Sequence, residues 1–186
     1  MVVLVGGTWG LGGVILIGVA TSVALPVLDV GSYAVSAAYS GDGSFNVSTG
    51  TLAGGQVVNK ASTTTAVSSS TNPSVYGQAV TFTANVTVVA PGVGTLTGTV
   101  QFQTNGADYG STVALVAGAA SSAALASLEV ATHAVTAIYS GDGSFNVSTG
   151  TLAGGQVVNK ADTGTAVGSS TNPSVYGQSV TFTATV

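Results

Sequence analysis

A stretch of 23 residues, YSGDGSFNVSTGTLAGGQVVNKA, occurs twice in the chain, letter for letter, at residues 39–61 and 139–161. Aligning each residue with the one 100 positions later needs no gap anywhere in the chain. Between Tyr39 and Val86 only five of 48 positions differ, whereas before Tyr39 only 12 of 38 positions are identical. One structural unit therefore spans 100 residues, and the 186-residue chain begins and ends out of step with that unit.

Several short runs alternate apolar and polar residues, which is typical of half-buried strands. Residues 80–86 alternate Val, Phe, Ala and Val with Thr and Asn, and residues 135–139 repeat the pattern. The turn sequences NPS, APG, NGAD and SGDG separate such runs. The alanine-rich run 119–128 is predicted to be strand, because two serines and a preceding glycine disfavour a helix. The predicted fold class is all-β, with about seven strands per unit in two antiparallel sheets packed face to face.

The composition excludes some functions and favours others. Only 4 % of the residues are charged, the net charge is -4, and Lys60 and Lys160 are the only basic residues. A surface that tracks nucleic-acid phosphates is therefore excluded. The chain has no cysteine, so disulfides, thiolate metal sites and thiol nucleophiles are absent. A surface so poor in charge repels its neighbours weakly, which favours self-association.

Three successive stretches of one unit carry a family resemblance. They read TTTAVSSSTNPSVYGQAVTFTANV, then GTVQFQTNGADYGSTVALVAGAA, then LEVATHAVTAIYSGDGSF. Together they resemble the bacterial Ig-like repeat of large secreted and surface-anchored proteins. The resemblance implies tandem immunoglobulin-like antiparallel β-sandwiches, an extracellular or cell-surface location, and a stalk, filament or adhesin without an active site or cofactor.

The phase of the resemblance divides the chain into three parts. A domain of that family begins at the TTTAV strand, so residues 61–160 are predicted to be one complete Ig-like domain. Residues 1–60 are then a partial domain with strands C to G, and residues 161–186 a partial domain with strands A and B. Either the chain is an excerpt from a tandem array, or residues 161–186 complete residues 1–60 of a neighbouring chain. The expected partners are thus adjacent Ig-like repeats or the same chain, as a head-to-tail homopolymer.

The SGDG sequences place Asp42 and Asp142 between glycines, where a carboxylate can accept backbone N–H bonds. Both are therefore predicted to form turns, and a calcium site is the alternative, which would need six to eight oxygen ligands. Asn46, Asn146 and Asn85 fit the N-x-Ser/Thr pattern of glycosylation. No metal or cofactor is predicted.

His133 is the only histidine, and the residue one period earlier is Tyr33. No general base is therefore common to both copies, and we predict that the protein is not an enzyme. The recurring aromatic residues, such as Tyr76 and Phe145, are predicted to pack in the core, with a glycan-stacking platform as the alternative. A Trp9 exposed at the domain tip would favour that alternative.

Three functions follow, in order of preference. The first is a structural module of an extracellular bacterial filament, stalk or adhesin, extended by tandem repetition or by strand complementation. The second is a carbohydrate- or protein-binding adhesin module. The third is a membrane-anchored fragment, because the uncharged run Val2–Pro26 is long enough to cross a bilayer. Its six glycines, lack of basic flanks and gap-free alignment with residues 102–126 favour strands instead.

Overall fold

A computed structural model describes residues 19–25 and 27–186 of the chain. The predictions for Trp9 and for most of Val2–Pro26 lie outside these residues. The strands that the structure describes before residue 61 are β1 (Gly31–Tyr33), β2 (Ser36–Tyr39), β3 (Ser48–Thr51) and β4 (Gln56–Val58). They form two antiparallel pairs, β1 with β4 and β2 with β3. We call residues 31–58 the amino-terminal segment.

The next ten strands form a packed unit that we call the central sandwich. They are β5 (Thr63–Ser69), β6 (Ser74–Val75), β7 (Phe82–Val88), β8 (Thr99–Thr104), β9 (Ala107–Ala114), β10 (Ala119–Ser121), β11 (Thr132–His133), β12 (Val135–Tyr139), β13 (Ser148–Thr151) and β14 (Gln156–Asn159). One sheet has the order β10-β7-β5 and the other the order β13-β12-β8-β9. A third, short sheet has the order β11-β14-β6, in which β14 and β6 are parallel.

The last two strands are β15 (Ala166–Ser169) and β16 (Phe182–Thr185), which form an antiparallel pair. No helix occurs among residues 19–25 and 27–186, so the all-β prediction is confirmed. The division into one complete and two partial domains stays a prediction. We call residues 161–186 the carboxy-terminal hairpin.

The alternating run 80–86 supplies one side of the core, as predicted. Val80, Phe82, Ala84 and Val86 are buried on β7 and just before it, while the intervening residues face outward. Buried residues of β8 and β12 face them from the other sheet, and they are Val100, Phe102, Val135, Ala137 and Tyr139. Two amphipathic sheets thus bury one apolar face each, which is the main stabilising term of a sandwich.

The strand prediction for residues 119–128 is right only at its start. β10 ends at Ser121, because the Ser122 hydroxyl accepts the bond from the Phe82 N–H, 3.0 Å away, in place of a backbone partner. Pairing resumes at a single bridge between Val80 and Leu125. The segment therefore crosses the end of the sheet as an irregular chain.

The first strand of the central sandwich, β5, runs parallel to its last strands, β13 and β14, and so closes the sandwich. Ala61 forms a parallel bridge with Phe145, and the Thr65 hydroxyl lies 2.7 Å from the hydroxyl of Ser148. Gly150 of β13 lies against the backbone of Thr65, where a Cβ atom would be 2.2 Å from the Thr65 oxygen. Only glycine permits this approach without displacing a strand.

Gly150→Ala is therefore expected to lower the free energy of unfolding by about 2 kcal/mol, the usual cost of forcing an extra methyl group into a packed contact. Gly143→Ala is the matched control, because a Cβ atom at Gly143 meets nothing within 4 Å. Urea unfolding followed by circular dichroism measures both variants. Equal stability of the two variants would contradict the closure of the sandwich by β5 and β13.

Candidate functional site

The SGDG turn of the central sandwich is organised around the carboxylate of Asp142. Its Oδ1 accepts the backbone N–H groups of Ser144 and Phe145, at 2.8 and 2.9 Å. Its Oδ2 accepts two bonds from Thr97, one from the N–H at 2.9 Å and one from the hydroxyl at 2.7 Å. Tyr139 completes the cluster by donating its phenol hydrogen to the Thr97 carbonyl, 2.6 Å away. The turn is thus bound to the loop before β8.

These contacts set the protonation of the cluster. Removal of the Asp142 carboxylate from water acts to raise its pKa, but the bonds from Thr97, Ser144 and Phe145 outweigh this effect and lower the pKa to about 2. Burial, together with the negative charge of Asp142, raises the pKa of Tyr139 to about 12. Asp142 is therefore ionised and Tyr139 neutral throughout the physiological range.

Asp42 makes the same turn in the amino-terminal segment. Its Oδ1 accepts the N–H groups of Ser44 and Phe45, and its Oδ2 accepts the Tyr39 hydroxyl at 2.9 Å. Hydrogen bonds from Ser44 and Tyr39 lower the pKa of Asp42. Within the described part of the chain, no group of three or more His, Cys, Asp or Glu side chains could hold a metal ion.

The same turn also receives the chain as it enters the central sandwich. The Asn146 side-chain amide donates to the Lys60 carbonyl at 3.3 Å, and the Lys60 ammonium donates to the Asp142 carbonyl. The Ala61 N–H donates to the Ser144 carbonyl and the Asn146 N–H donates to the Ala61 carbonyl, both at 2.9 Å. Lys60 and Ala61 therefore form an ordered junction rather than a free linker.

At the other end of the sandwich, a buried amide joins the first and last strands. Gln156 is fully buried; its Oε1 accepts the Ser69 hydroxyl at 2.6 Å and its Nε2 donates to the Thr71 carbonyl at 3.0 Å. Asn72 pairs twice with the backbone beside it, because it accepts the Val157 N–H and donates to the Gly155 carbonyl. Gln156 was not among the residues predicted from the sequence, although its place two residues before the inward-facing Val158 indicates the same buried face.

The predicted glycosylation residues lie in different surroundings. Asn46 is exposed in the loop before β3, and Asn85 is exposed on the outer face of β7. Asn146 uses its side-chain nitrogen in the bond to Lys60, so a glycan there would replace a junction contact. Glycosylation of all three stays a prediction.

His133 is buried and bonded, which gives it a structural role. Its Nε2 lies 2.9 Å from the Glu129 carbonyl and its Nδ1 lies 3.0 Å from the Asn105 side-chain nitrogen, as fits a ring protonated at Nε2. Tyr33 donates its hydroxyl to the Asp29 carbonyl, the atom one period before that of Glu129. His133 and Tyr33 therefore each donate a hydrogen bond to the equivalent backbone carbonyl in the two copies.

The predicted burial of the recurring aromatic residues holds for some and is wrong for others. Phe82, Tyr139 and Phe145 are buried, whereas Phe45, Tyr76, Tyr176 and Phe182 are exposed, and Tyr76 is so because it follows the short β6 at the surface. The glycan-stacking alternative stays a prediction. No helix in residues 19–25 and 27–186 is long and apolar enough to cross a membrane.

The hydrogen bonds of Asp142 predict a pH dependence. Because its folded pKa of about 2 lies below the ordinary 3.8, ionised Asp142 stabilises the sandwich above pH 3.8, and this contribution disappears as the pH falls through about 2. Asp142→Asn keeps one acceptor oxygen but loses the acceptor for Thr97. We expect Asp142→Asn to be less stable than the wild type at pH 6, and the difference to vanish near pH 2.

Urea unfolding at a series of pH values measures this difference. Asp108→Asn is the matched control, since Asp108 is exposed on β9 and, among the described residues, its carboxylate accepts a hydrogen bond only from the Gln103 side chain. A loss that stays constant from pH 6 to pH 2 would show that the charge of Asp142 does not stabilise the turn.

The comparisons with known proteins agree with this architecture. A family model described as bacterial Ig-like domain (group 3) matches residues 64–159, which is more than half of the chain. No curated protein and no solved structure matched the chain. The matched residues are those of the central sandwich, so the resemblance found in the sequence is confirmed. The chain belongs to the bacterial Ig-like domain family, group 3.

Proposed function

We propose that the protein is a structural module of an extracellular bacterial stalk, filament or adhesin, which works by extending a linear string of Ig-like sandwiches. Domains of this family are typically non-enzymatic and occur in surface or secreted bacterial proteins. The string grows head-to-tail, by tandem repetition within a longer chain or by strand complementation between chains. No catalytic step and no cofactor belongs to this function.

One observation carries the proposal, namely that the first and last strands of the central sandwich run parallel. Ala61 is bridged to Phe145 at one end, and Val75 is paired with Asn159 at the other. The chain therefore enters at one end of the sandwich and leaves at the opposite end. A unit connected in this way adds its full length to the string, roughly 3 nm at about 3.3 Å per residue along β5 and β6.

The junction supports the proposal because it limits bending. Lys60 bonds to the turn of the following sandwich through its carbonyl and its ammonium group, and Ala61 already pairs with that turn. No residue between Gln56 and Ala61 is glycine or proline. A joint of two or three residues with fixed partners behaves as a short stiff connection rather than as a flexible linker.

Small-angle scattering of chains with one, two and three added 100-residue repeats tests this function. We expect the maximum dimension to increase by an equal step of roughly 3–4 nm for each repeat. Insertion of Gly-Ser-Gly-Gly-Ser between Lys60 and Ala61 is the control, and it should give shorter average dimensions for the same number of repeats. Growth that falls well below proportionality in the unmodified chains would contradict a stiff linear string.

Localisation is tested separately, in the bacterium that makes the protein. Antibodies against the central sandwich should label intact cells or recover the protein from the culture medium. Labelling that requires lysed cells would contradict the proposed surface location.

A further inference from the structure

We propose that the Lys60–Ala61 peptide bond is a concealed cleavage site for proteases of trypsin-like specificity, closed while the junction is intact and accessible when the junction opens. The inference rests on the proposed function only for the extracellular location of such a protease. Hydrolysis breaks the bond between the Lys60 carbonyl carbon and the Ala61 nitrogen; water supplies a hydroxyl to the carbon and a hydrogen to the nitrogen. Cleavage would release the part of the string that lies beyond the junction.

The positions of the basic residues restrict such a protease to the junctions. Lys60 and Lys160 are the only Lys or Arg residues of the chain, and each lies directly before the alanine that ends the repeated 23-residue stretch. Trypsin-like proteases bind a Lys or Arg side chain in a pocket with a carboxylate at its base. The central sandwich itself, residues 63–159, therefore contains no peptide bond that such a protease recognises.

The junction holds the three groups that a serine protease must take up at the bond it cuts. The protease needs the Lys ammonium in its pocket, the carbonyl oxygen in its oxyanion hole and the amide nitrogen as leaving group. The Lys60 ammonium donates to the Asp142 carbonyl, and the Lys60 carbonyl accepts the Asn146 side-chain amide at 3.3 Å. The Ala61 N–H donates to the Ser144 carbonyl at 2.9 Å. Lys60 is thus exposed, but its reactive groups are engaged.

The residues after the bond are held as well. The Ala61 carbonyl accepts the Asn146 N–H at 2.9 Å, and the buried Thr63 donates its hydroxyl to the Asn146 carbonyl at 3.0 Å. A peptide that binds as an added strand needs free backbone N–H and C=O groups for its new partner. Cleavage therefore requires local unfolding of the junction, and its rate follows the fraction of molecules in which the junction is open.

The second copy of the site provides a reference within the same molecule. Residues 139–161 are identical to residues 39–61, so Lys160–Ala161 has the same sequence before the bond. No further SGDG turn follows it in the sequence, and both Lys160 and Ala161 are exposed, whereas Ala61 is half-buried. The two bonds thus compare the same residues with and without the contacts of a following turn.

Trypsin digestion of the full chain, followed over time by mass spectrometry, tests the proposal. We expect cleavage after Lys160, which separates residues 1–160 from the carboxy-terminal hairpin, to be about 100-fold faster than cleavage after Lys60. Equal rates at the two bonds would overturn the proposal, because the junction would then give no protection.

Two variants show whether the junction contacts are the cause of the protection. Insertion of Gly-Ser-Gly-Gly-Ser between Lys60 and Ala61 should raise the rate of cleavage after Lys60 to that after Lys160. Asn146→Ala removes the bond to the Lys60 carbonyl and should raise the rate by about three- to tenfold. Asn46→Ala is the matched control, because Asn46 is exposed at the same place one period earlier. Unchanged cleavage after Lys60 in both the insertion and Asn146→Ala would overturn the proposal.

A longer chain tests the same protection at the second bond. Adding a further copy of residues 87–186 after Val186 continues the 100-residue period and places a complete unit after Lys160. We expect cleavage after Lys160 to slow to the rate measured after Lys60. Cleavage that stays fast would overturn the proposal, while linear growth in the scattering experiment would still support the proposed function.

Discussion

The parallel alignment of the first strand with the last two strands is the constraint on which the rest of the structure depends. Thr63 and Thr65 bond to Ser148 at one end, and Ser69 and Thr71 bond to Gln156 at the other. Gly150 lets the backbones approach between these points. This alignment closes the sandwich and determines at which ends the chain enters and leaves it.

The contact consists mainly of polar groups, which suits a surface with almost no charge. Hydroxyls and amides bond to each other and to the backbone, and no buried side-chain nitrogen or oxygen of the described residues lacks a partner. Because each such group would be costly to bury alone, the set favours one register over a slip of one or two residues. The apolar core of Phe82, Phe102 and Tyr139 stabilises the fold. The polar contacts fix the parallel direction of the first strand relative to the last strands.

Part of this architecture could be predicted from the sequence. The period-2 alternation in 80–86 identified the inward face of β7, and the glycines around Asp142 identified a tight turn, because both patterns are local. The burial of Gln156 against Ser69 could not be predicted, since the two residues are 87 positions apart and alternation specifies a face but not its partner. The pairing of His133 with Tyr33 one period earlier indicated that no general base is common to both copies. The sequence alone did not show that both side chains donate a hydrogen bond to a loop carbonyl.

The chain enters and leaves the sandwich at opposite ends, and the distance between the two junctions is the direct measure of this arrangement. Nitroxide labels on Ser62→Cys and Lys160→Cys, two exposed positions, can be measured by double electron–electron resonance in molecules diluted with unlabelled chain. We expect a distance of roughly 3 nm or more, from about 3.3 Å per residue along the first strands. A distance below about 2 nm, less than the length of such a sandwich, would place both junctions at one end and contradict the parallel arrangement of the first and last strands.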